Sequence, residues 1–422
     1  MPPRRIMSLG RCYARLFTTT PIAGLSYEQS RIALVQSMAD RLGSDANVSL
    51  SYTRKRSNPS DESMDDNETN IGSAPDSDMT ITFLGTCAGS PSSVRNSSSL
   101  VLTMPHTAWM FDCGEGTQHR MFKCLSPKVK PSAIDRIFIT HLHGDHVLGL
   151  PGMLLFLNNA NPTRVLPLHI HGPPGLRSYI HNVLRSIGSY IQIPFYVHEY
   201  SPVDNGRLSR IYSDGKMEIH AGRIKHTIEC WGFIITEMDK KGELNVKALE
   251  DLGVPKGPCY GQLKAGESIL LPDGRILNGN DFVASTIPGR KIAILGDTNN
   301  ADNLINKAKG ADVVVHEATL PDQDESVAIR RGHSTPSMAA NFARKSDSKL
   351  LILNHVSPKV NEEGFAVCNG IPPVDIRQQA VGTFGSENVL VAVDYLRVDV
   401  SRKSAVERRK GPNHQIHSNP GQ

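Results

Sequence analysis

Residues 141–146 read HLHGDH directly after the apolar run Ile137, Phe138, Ile139, so four side chains able to bind metal (His141, His143, Asp145, His146) fall within six positions at the end of one strand. Side chains two apart on an extended chain share a face, and His141 and His143 can therefore grip one ion together as the strand ends. Gly144 frees the backbone to turn, swinging Asp145 and His146 toward a second position nearby. Two adjacent ions are the natural result. Imidazole and carboxylate ligands without thiolate suit zinc ahead of manganese or iron. Two metals about 3.5–4 Å apart can clamp both the attacking and the leaving oxygen of a phosphodiester. A single strand-end histidine is more often packed or solvated; four ligand types in this order favour metal chemistry.

A dinuclear site needs further ligands, and three residues offer them. His226 lies in RIKHTIECWGF, Asp297 follows the apolar strand Ile292 to Leu295, and His355 follows the apolar strand Leu350 to Leu353. Strand ends hold ligands rigidly while the loops beyond stay free to vary. Each residue alone could be only a cap or turn residue. The carboxylate of Asp297 has two oxygens and can bridge two ions, which a neutral imidazole cannot do.

HLHGDH with His226, Asp297 and His355 resembles the metallo-β-lactamase superfamily. FLGTCAGSP (83–91), RN (95–96), FDCGEGTQ (111–118), HEAT (316–319) and GHSTP (332–336) resemble ribonuclease Z, the endonuclease that removes the 3′ trailer from precursor tRNA. GVPKGPCYGQLKAG (253–266) resembles the short form of that enzyme, and the resemblance spans roughly residues 79–398. It implies two zinc ions per subunit, one held by His141, His143, His226 and Asp297, the other by Asp145, His146, Asp297 and His355. It places Asp145 as proton acceptor and Glu317 with His333 as the pair that protonates the departing 3′-oxygen. Loss of an alkoxide near neutral pH needs a general acid, and histidine has the pKa for it. Structurally, Glu317 could instead cap a turn, and His333 could simply precede a helix N-cap; His316 is read as structural. The resemblance also implies homodimers in which one subunit's arm holds the tRNA that the other cuts.

In bacterial members one loop reads Pro-x-Lys-x-Arg-Asn, whereas this chain has Pro91, Ser92, Ser93, Val94, Arg95, Asn96. Ser93 replaces the lysine, leaving Arg95 as the fixed charge of a loop that, with Asn96, is expected to meet the tRNA acceptor end. From about 237 to 272, lysines are threaded among glycines and prolines, the composition of a protruding arm that offers cations to a phosphate backbone. Lys256, Gly257, Pro258 and Lys264 are its candidate substrate contacts; an ordinary solvated loop is the alternative.

A net charge of +4 is only mildly basic, so RNA affinity must come from local patches. Seven cysteines without CxxC spacing read as a reduced set, and none is an expected ligand. Before the first acid, Glu28, the chain carries Arg4, Arg5, Arg11 and Arg15 among hydroxyl residues. That is the composition of an organellar transit peptide over 1–27, with mitochondrion ahead of plastid, and an untargeted tail as the alternative. Its apolar stretch is too short to span a membrane. Arg54, Lys55 and Arg56 could serve as a weak nuclear signal. Residues 28–78, acidic and polar toward their end, are expected to form a disordered linker, and 401–422 a basic disordered tail.

From Met79 to about 400, short β-rich runs such as ITFLG, AWMFDC, RIFIT, KIAILGD, DVVVHEA and LLILNH alternate with helical segments, GLRSYIHNVLRSIG and HSTPSMAANFARK being the clearest. With the motifs, this gives an α+β fold, a metallo-β-lactamase αββα sandwich of two mixed β-sheets flanked by helices. The expected function is a zinc-dependent endoribonuclease on precursor tRNA. Other readings are a phosphodiesterase on another diester, such as a tRNA terminal cyclic phosphate, a thioester hydrolase, and an RNA-binding protein on an inactive scaffold. The presence of all seven ligands argues against the last.

Overall fold

Runs rich in β-branched and aromatic residues build two sheets in a computed structural model that describes residues 27–43, 46, 48–52, 70–71, 79–124, 129–200, 208–361, 364–366 and 374–402. The expected transit peptide and basic tail lie outside the described residues, apart from Tyr27, Ser401 and Arg402. The chain divides into a large unit (up to 211, 219–235 and 291–401) and a small one (212–218, 236–290 and from 402).

The first sheet has nine strands in the order Asn70–Ile71, Val48–Tyr52, Leu396–Val400, Thr80–Gly85, Ser99–Thr103, Ala108–Phe111, Ile134–Phe138, Leu168–Gly172, Phe195–Glu199. It is antiparallel as far as Ala108–Phe111 and parallel beyond. The second has seven, in the order Val389–Val391, Leu351–Asn354, Val313–Glu317, Lys291–Leu295, Cys230–Glu237, Met217–Ile224, Ser209–Ser213. Phe111 and Phe138 of the first sheet meet Phe233 of the second, with ring centroids 5.7 and 5.4 Å apart, so the apolar faces pack against each other. The α+β sandwich expected from the sequence is the one observed.

Helices cover the outside by burying one stripe each. Leu176–Ser186 turns Leu176, Ile180 and Leu184 inward, a spacing of four that keeps them on one face. Pro336–Lys345 starts at Thr335, whose side chain accepts from the Met338 amide, with Pro336 at the first turn where its missing N–H costs nothing. Four neighbouring strands of the second sheet, from Lys291–Leu295 to Val389–Val391, run parallel, and in their register Glu317 stands opposite Asn354. Their C-terminal ends therefore open at one edge, where ligands gather in parallel sheets.

Two expectations need correction. The stretch read as a disordered linker (28–78) holds nearly all of a helix, Tyr27–Asp40, and also Val48–Tyr52, which pairs antiparallel with Leu396–Val400 along its whole length. The helix was hidden because its inward stripe is Arg31, Val35 and Met38, with a cation where periodicity looks for an apolar residue. The arm was expected over 237–272, but the small unit runs on to Arg290. Its hairpin joins Ser268–Leu270 to Ile276–Asn278, so the expected boundary cut through the turn. The segment after 272 is poor in lysine, and composition gave no sign of it. A miniature core of Leu249, Val254, Leu263 and Leu271 supports the unit. At its base the buried Glu237 carboxylate accepts from Arg290 Nε at 2.8 Å.

Candidate metal centre

Each of the seven expected ligands stands just past a strand or in the turn that follows. His141 lies three residues beyond Ile134–Phe138, and Gly144–Val147 forms a single helical turn that carries Asp145 and His146. Asp297 follows Lys291–Leu295, and His355 follows Leu351–Asn354. The structure brings all of them together. Ligand atoms of His141, His143, His226 and Asp297 lie within 4.8 Å of one another, and so do those of Asp145, His146 and His355.

Asp297 joins the two groups. One of its oxygens is 3.7 Å from Nε2 of His141, while the other is 3.5 Å from Nε2 of His146 and 3.4 Å from Nδ1 of His355. A third cluster of Asp297, His333 and His355 overlaps both, but Nδ1 of His333 is already paired with Glu317 at 3.0 Å.

The outward ring nitrogens show which atoms remain for a metal. Nδ1 of His226 is 2.7 Å from the Gly332 carbonyl, Nδ1 of His146 is 2.7 Å from Asp112, Nδ1 of His141 is 2.9 Å from the Thr140 hydroxyl, and Nδ1 of His355 is 3.0 Å from the Thr319 hydroxyl. With protons on these nitrogens, each Nε2 turns a lone pair inward. His143 alone points Nδ1 inward, 3.0 Å from Nε2 of His141 and 3.1 Å from Nε2 of His226. Across the site, Nε2 of His146 and of His355 are 3.2 Å apart. Lone pairs facing each other at such distances repel unless a cation sits between them. Nitrogens about 2.0–2.1 Å from a tetrahedral ion would be roughly 3.3 Å apart, so the donor set fits zinc.

Three of these supports were not singled out in the sequence. Asp112, from FDCGEGTQ, accepts from the Thr140 amide at 2.7 Å and hydroxyl at 2.9 Å as well as facing His146. Thr140 and, in HEAT, Thr319 pass the orientation on to His141 and His355. A carboxylate behind a metal-binding histidine is a general device, and the Asp next to Phe111 at a strand end was the available signal. Asp112 and His355 both have positive φ, 56° and 50°, a region that Asp and His enter more readily than most residues.

The Asp145 carboxylate accepts from the Gly89 amide at 2.7 Å and lies 3.1 Å from Nε2 of His355. Glu317 is buried and fully engaged: it accepts from the Thr298 amide at 2.9 Å and the Thr319 hydroxyl at 2.7 Å while facing His333. Burial disfavours charge on His333, yet the hydrogen bond and charge of Glu317 outweigh it and hold the imidazole above its ordinary value. His316 is buried, with Nδ1 on the Glu317 carbonyl at 2.8 Å. The Cys230 thiol sits 3.6 Å from Nδ1 of His141, but burial pushes its pKa well above the usual range, so it stays protonated. The cleft, about 270 Å³, is lined by Gly89, His143, Asp145, Asp297, His333 and His355 among others.

The expected substrate contacts Arg95 and Asn96 are a correction. Arg95 is completely buried; its guanidinium donates to the Thr86 hydroxyl at 2.8 Å and to the carbonyls of Ala392 and Asn361. Asn96 donates from its side chain to the Glu115 carbonyl at 2.8 Å. The Arg95 guanidinium is thus spent on holding the loop to the sheet, and Asn96 braces the loop against Glu115; in sequence a buried arginine and an exposed one look alike. Lys256, Gly257, Pro258 and Lys264 are exposed in the small unit. Gly257 precedes the helix Pro258–Lys264, and Lys256 pairs with Glu250 at 2.7 Å.

Ribonuclease BN of Escherichia coli O17:K52:H18 is 42% identical over 290 residues, which cover 68% of this chain and 92% of that protein. This chain belongs to the ribonuclease BN family. The crystal structure of the human tRNase Z, short form, covers 76% of this chain of the ribonuclease BN family and 98% of its own, at 29% identity and a TM-score of 0.53. The metallo-β-lactamase fold protein YhfI from Bacillus subtilis, 15% identical with a TM-score of 0.50 over 76% of this chain and 98% of its own, shares the fold. The family described as anti-Pycsar protein Apyc1 matches residues 79–227. As a ribonuclease BN family member, the chain is a hydrolytic nuclease on a metallo-β-lactamase scaffold.

Proposed function

We propose that this nuclease is a zinc-dependent endoribonuclease that removes the 3′ trailer from precursor tRNA, leaving a 3′-hydroxyl on the tRNA and a 5′-phosphate on the trailer. The observation that carries the reading is the Asp297 carboxylate between two clusters of inward-facing nitrogens, in a cleft lined by Asp145 and by His333, which is paired with Glu317. Two zinc ions bound there would supply Lewis-acid activation of water and charge neutralisation at the phosphate. Asp145, fixed by the Gly89 amide, is placed to take the proton of the attacking water. His333, held by Glu317, is placed to deliver a proton to the departing 3′-oxygen. The exposed lysines of the small unit would grip the tRNA body without reading its sequence.

The family resemblance supports a short-form, homodimeric enzyme, and the composition of the first residues supports delivery to the mitochondrion. The deciding experiment is cleavage of a 5′-labelled precursor tRNA by the full chain, with and without chelator. A chelator-sensitive cut after the discriminator nucleotide supports the proposal. Hydrolysis of a small phosphodiester without any cut in precursor tRNA would replace it with a phosphodiesterase acting on another substrate.

A further inference from the structure

Arg331 lines the cleft alongside His143, Asp145, His333 and His355, is exposed, and makes no ion pair or side-chain hydrogen bond among the described residues. Its root is fixed. The Arg331 amide donates to the carbonyls of Val327 and Ala328, both at 3.0 Å, at the end of the helix Glu325–Arg330. The next residue, Gly332, has φ +77° and gives its carbonyl to Nδ1 of His226, and a Cβ there would lie 2.8 Å from that nitrogen. The residue after that is His333. One three-residue segment thus carries a ligand's support, an uncommitted guanidinium and an imidazole held by a buried carboxylate. The two acids lining this cleft, Asp145 and Asp297, are both engaged with histidines.

An uncompensated guanidinium in a cleft that binds a phosphodiester suits a phosphate oxygen, which it can hold bidentately. Two phosphates are within reach in principle, the scissile one and its neighbour. The scissile phosphate is to be neutralised between the two ligand clusters, whereas Arg331 stands beside His333, on the side where the 3′-oxygen leaves. The next phosphate on that side belongs to the tRNA.

We propose that Arg331 is a substrate-binding residue that clasps the phosphate on the 5′ side of the discriminator nucleotide, one nucleotide upstream of the cut. This rests on the trailer-endonuclease reading. It gives the nuclease a way to fix the phosphodiester in register by holding the strand from which the leaving oxygen departs.

The test pairs one residue with one phosphate. Wild type, Arg331→Ala and Arg331→Lys are compared on precursor tRNA with either a normal or an uncharged methylphosphonate linkage 5′ of the discriminator nucleotide, and on a small chromogenic phosphodiester. Losing one charge-assisted contact is expected to lower kcat/KM of Arg331→Ala on normal precursor by about 10- to 100-fold, with Arg331→Lys intermediate. The methylphosphonate should slow the wild type by a similar factor and Arg331→Ala no further. The small diester, which has no neighbouring phosphate, should be hydrolysed equally by all three. Independent, multiplying losses from the residue and the linkage would overturn the proposal, as would a matching loss on the small diester. Failure of the wild type to cut unmodified precursor would instead remove the reading beneath it.

Discussion

The Asp112 carboxylate lies 2.7 Å from Nδ1 of His146, and it also accepts from the Thr140 hydroxyl, whose oxygen faces Nδ1 of His141. One buried acid thus orients a histidine in each ligand cluster. Asp112→Asn is the informative change, because asparagine tolerates the positive φ at this position but turns an N–H toward a ring nitrogen that already carries a proton. Loss of such a support costs roughly 10–100-fold in metal affinity or activity. Metal content after dialysis should fall while the circular dichroism spectrum stays unchanged; full metal retention would refute the role.

Removing metal should destabilise the protein. The fold itself brings Nδ1 of His143 within 3.0 Å of Nε2 of His141 and 3.1 Å of Nε2 of His226, and Nε2 of His146 within 3.2 Å of Nε2 of His355. A ligand that binds only the native state adds about 4 kcal/mol at a thousandfold excess over its Kd. Chelator should lower the thermal midpoint and added zinc should restore it. A midpoint indifferent to both would mean that the fold holds the histidines together without help from a cation.

Arg95→Ala should act on stability rather than on substrate affinity. Its guanidinium satisfies Thr86 Oγ1 and two carbonyls in a region that also holds the buried Asp394. Leaving buried hydrogen-bonding partners unsatisfied costs about 1–3 kcal/mol. The thermal midpoint should drop, and the surviving folded fraction should show an ordinary KM for precursor tRNA. A raised KM with an unchanged midpoint would return Arg95 to the substrate.

Deleting residues 1–52 should also lower stability. The deletion takes away the edge partner of Leu396–Val400 and, with it, Arg31, which donates to the Val94 carbonyl. That carbonyl belongs to the loop running back to Gly89, whose amide fixes Asp145. Limited proteolysis should therefore open the truncated protein faster, with kcat falling more than KM rises. Unchanged kcat and protease resistance would show the N-terminal helix to be dispensable.

The metal ligands were legible because they follow apolar runs that can only be strands, and because the chemistry of histidine and aspartate in HLHGDH has few other uses. The strand at Val313–Glu317 and the helix at Pro336–Lys345 were legible for the same reason: an unbroken β-branched run, and a Thr-Pro start. What escaped was whatever depended on a distant partner. Nothing local shows that Arg95 is buried, that Asp112 backs His146, or that Val48–Tyr52 finds Leu396–Val400. Arg31 defeated the periodicity of its own helix because its burial is justified by the loop it meets, not by its neighbours in sequence.

That last pairing has a consequence for how the chain comes off the ribosome. Val48–Tyr52 is made long before the strand it needs, Leu396–Val400, and that later strand is also the one that Thr80–Gly85 pairs with on its other side. Until residue 400 has emerged, the growing chain carries two open strand edges with nothing between them, the kind of surface that chaperones recognise and that aggregates when left alone. Closure of the first sheet is therefore a late, single event of long sequence separation, and a translation product stopped short of it never completes the sheet.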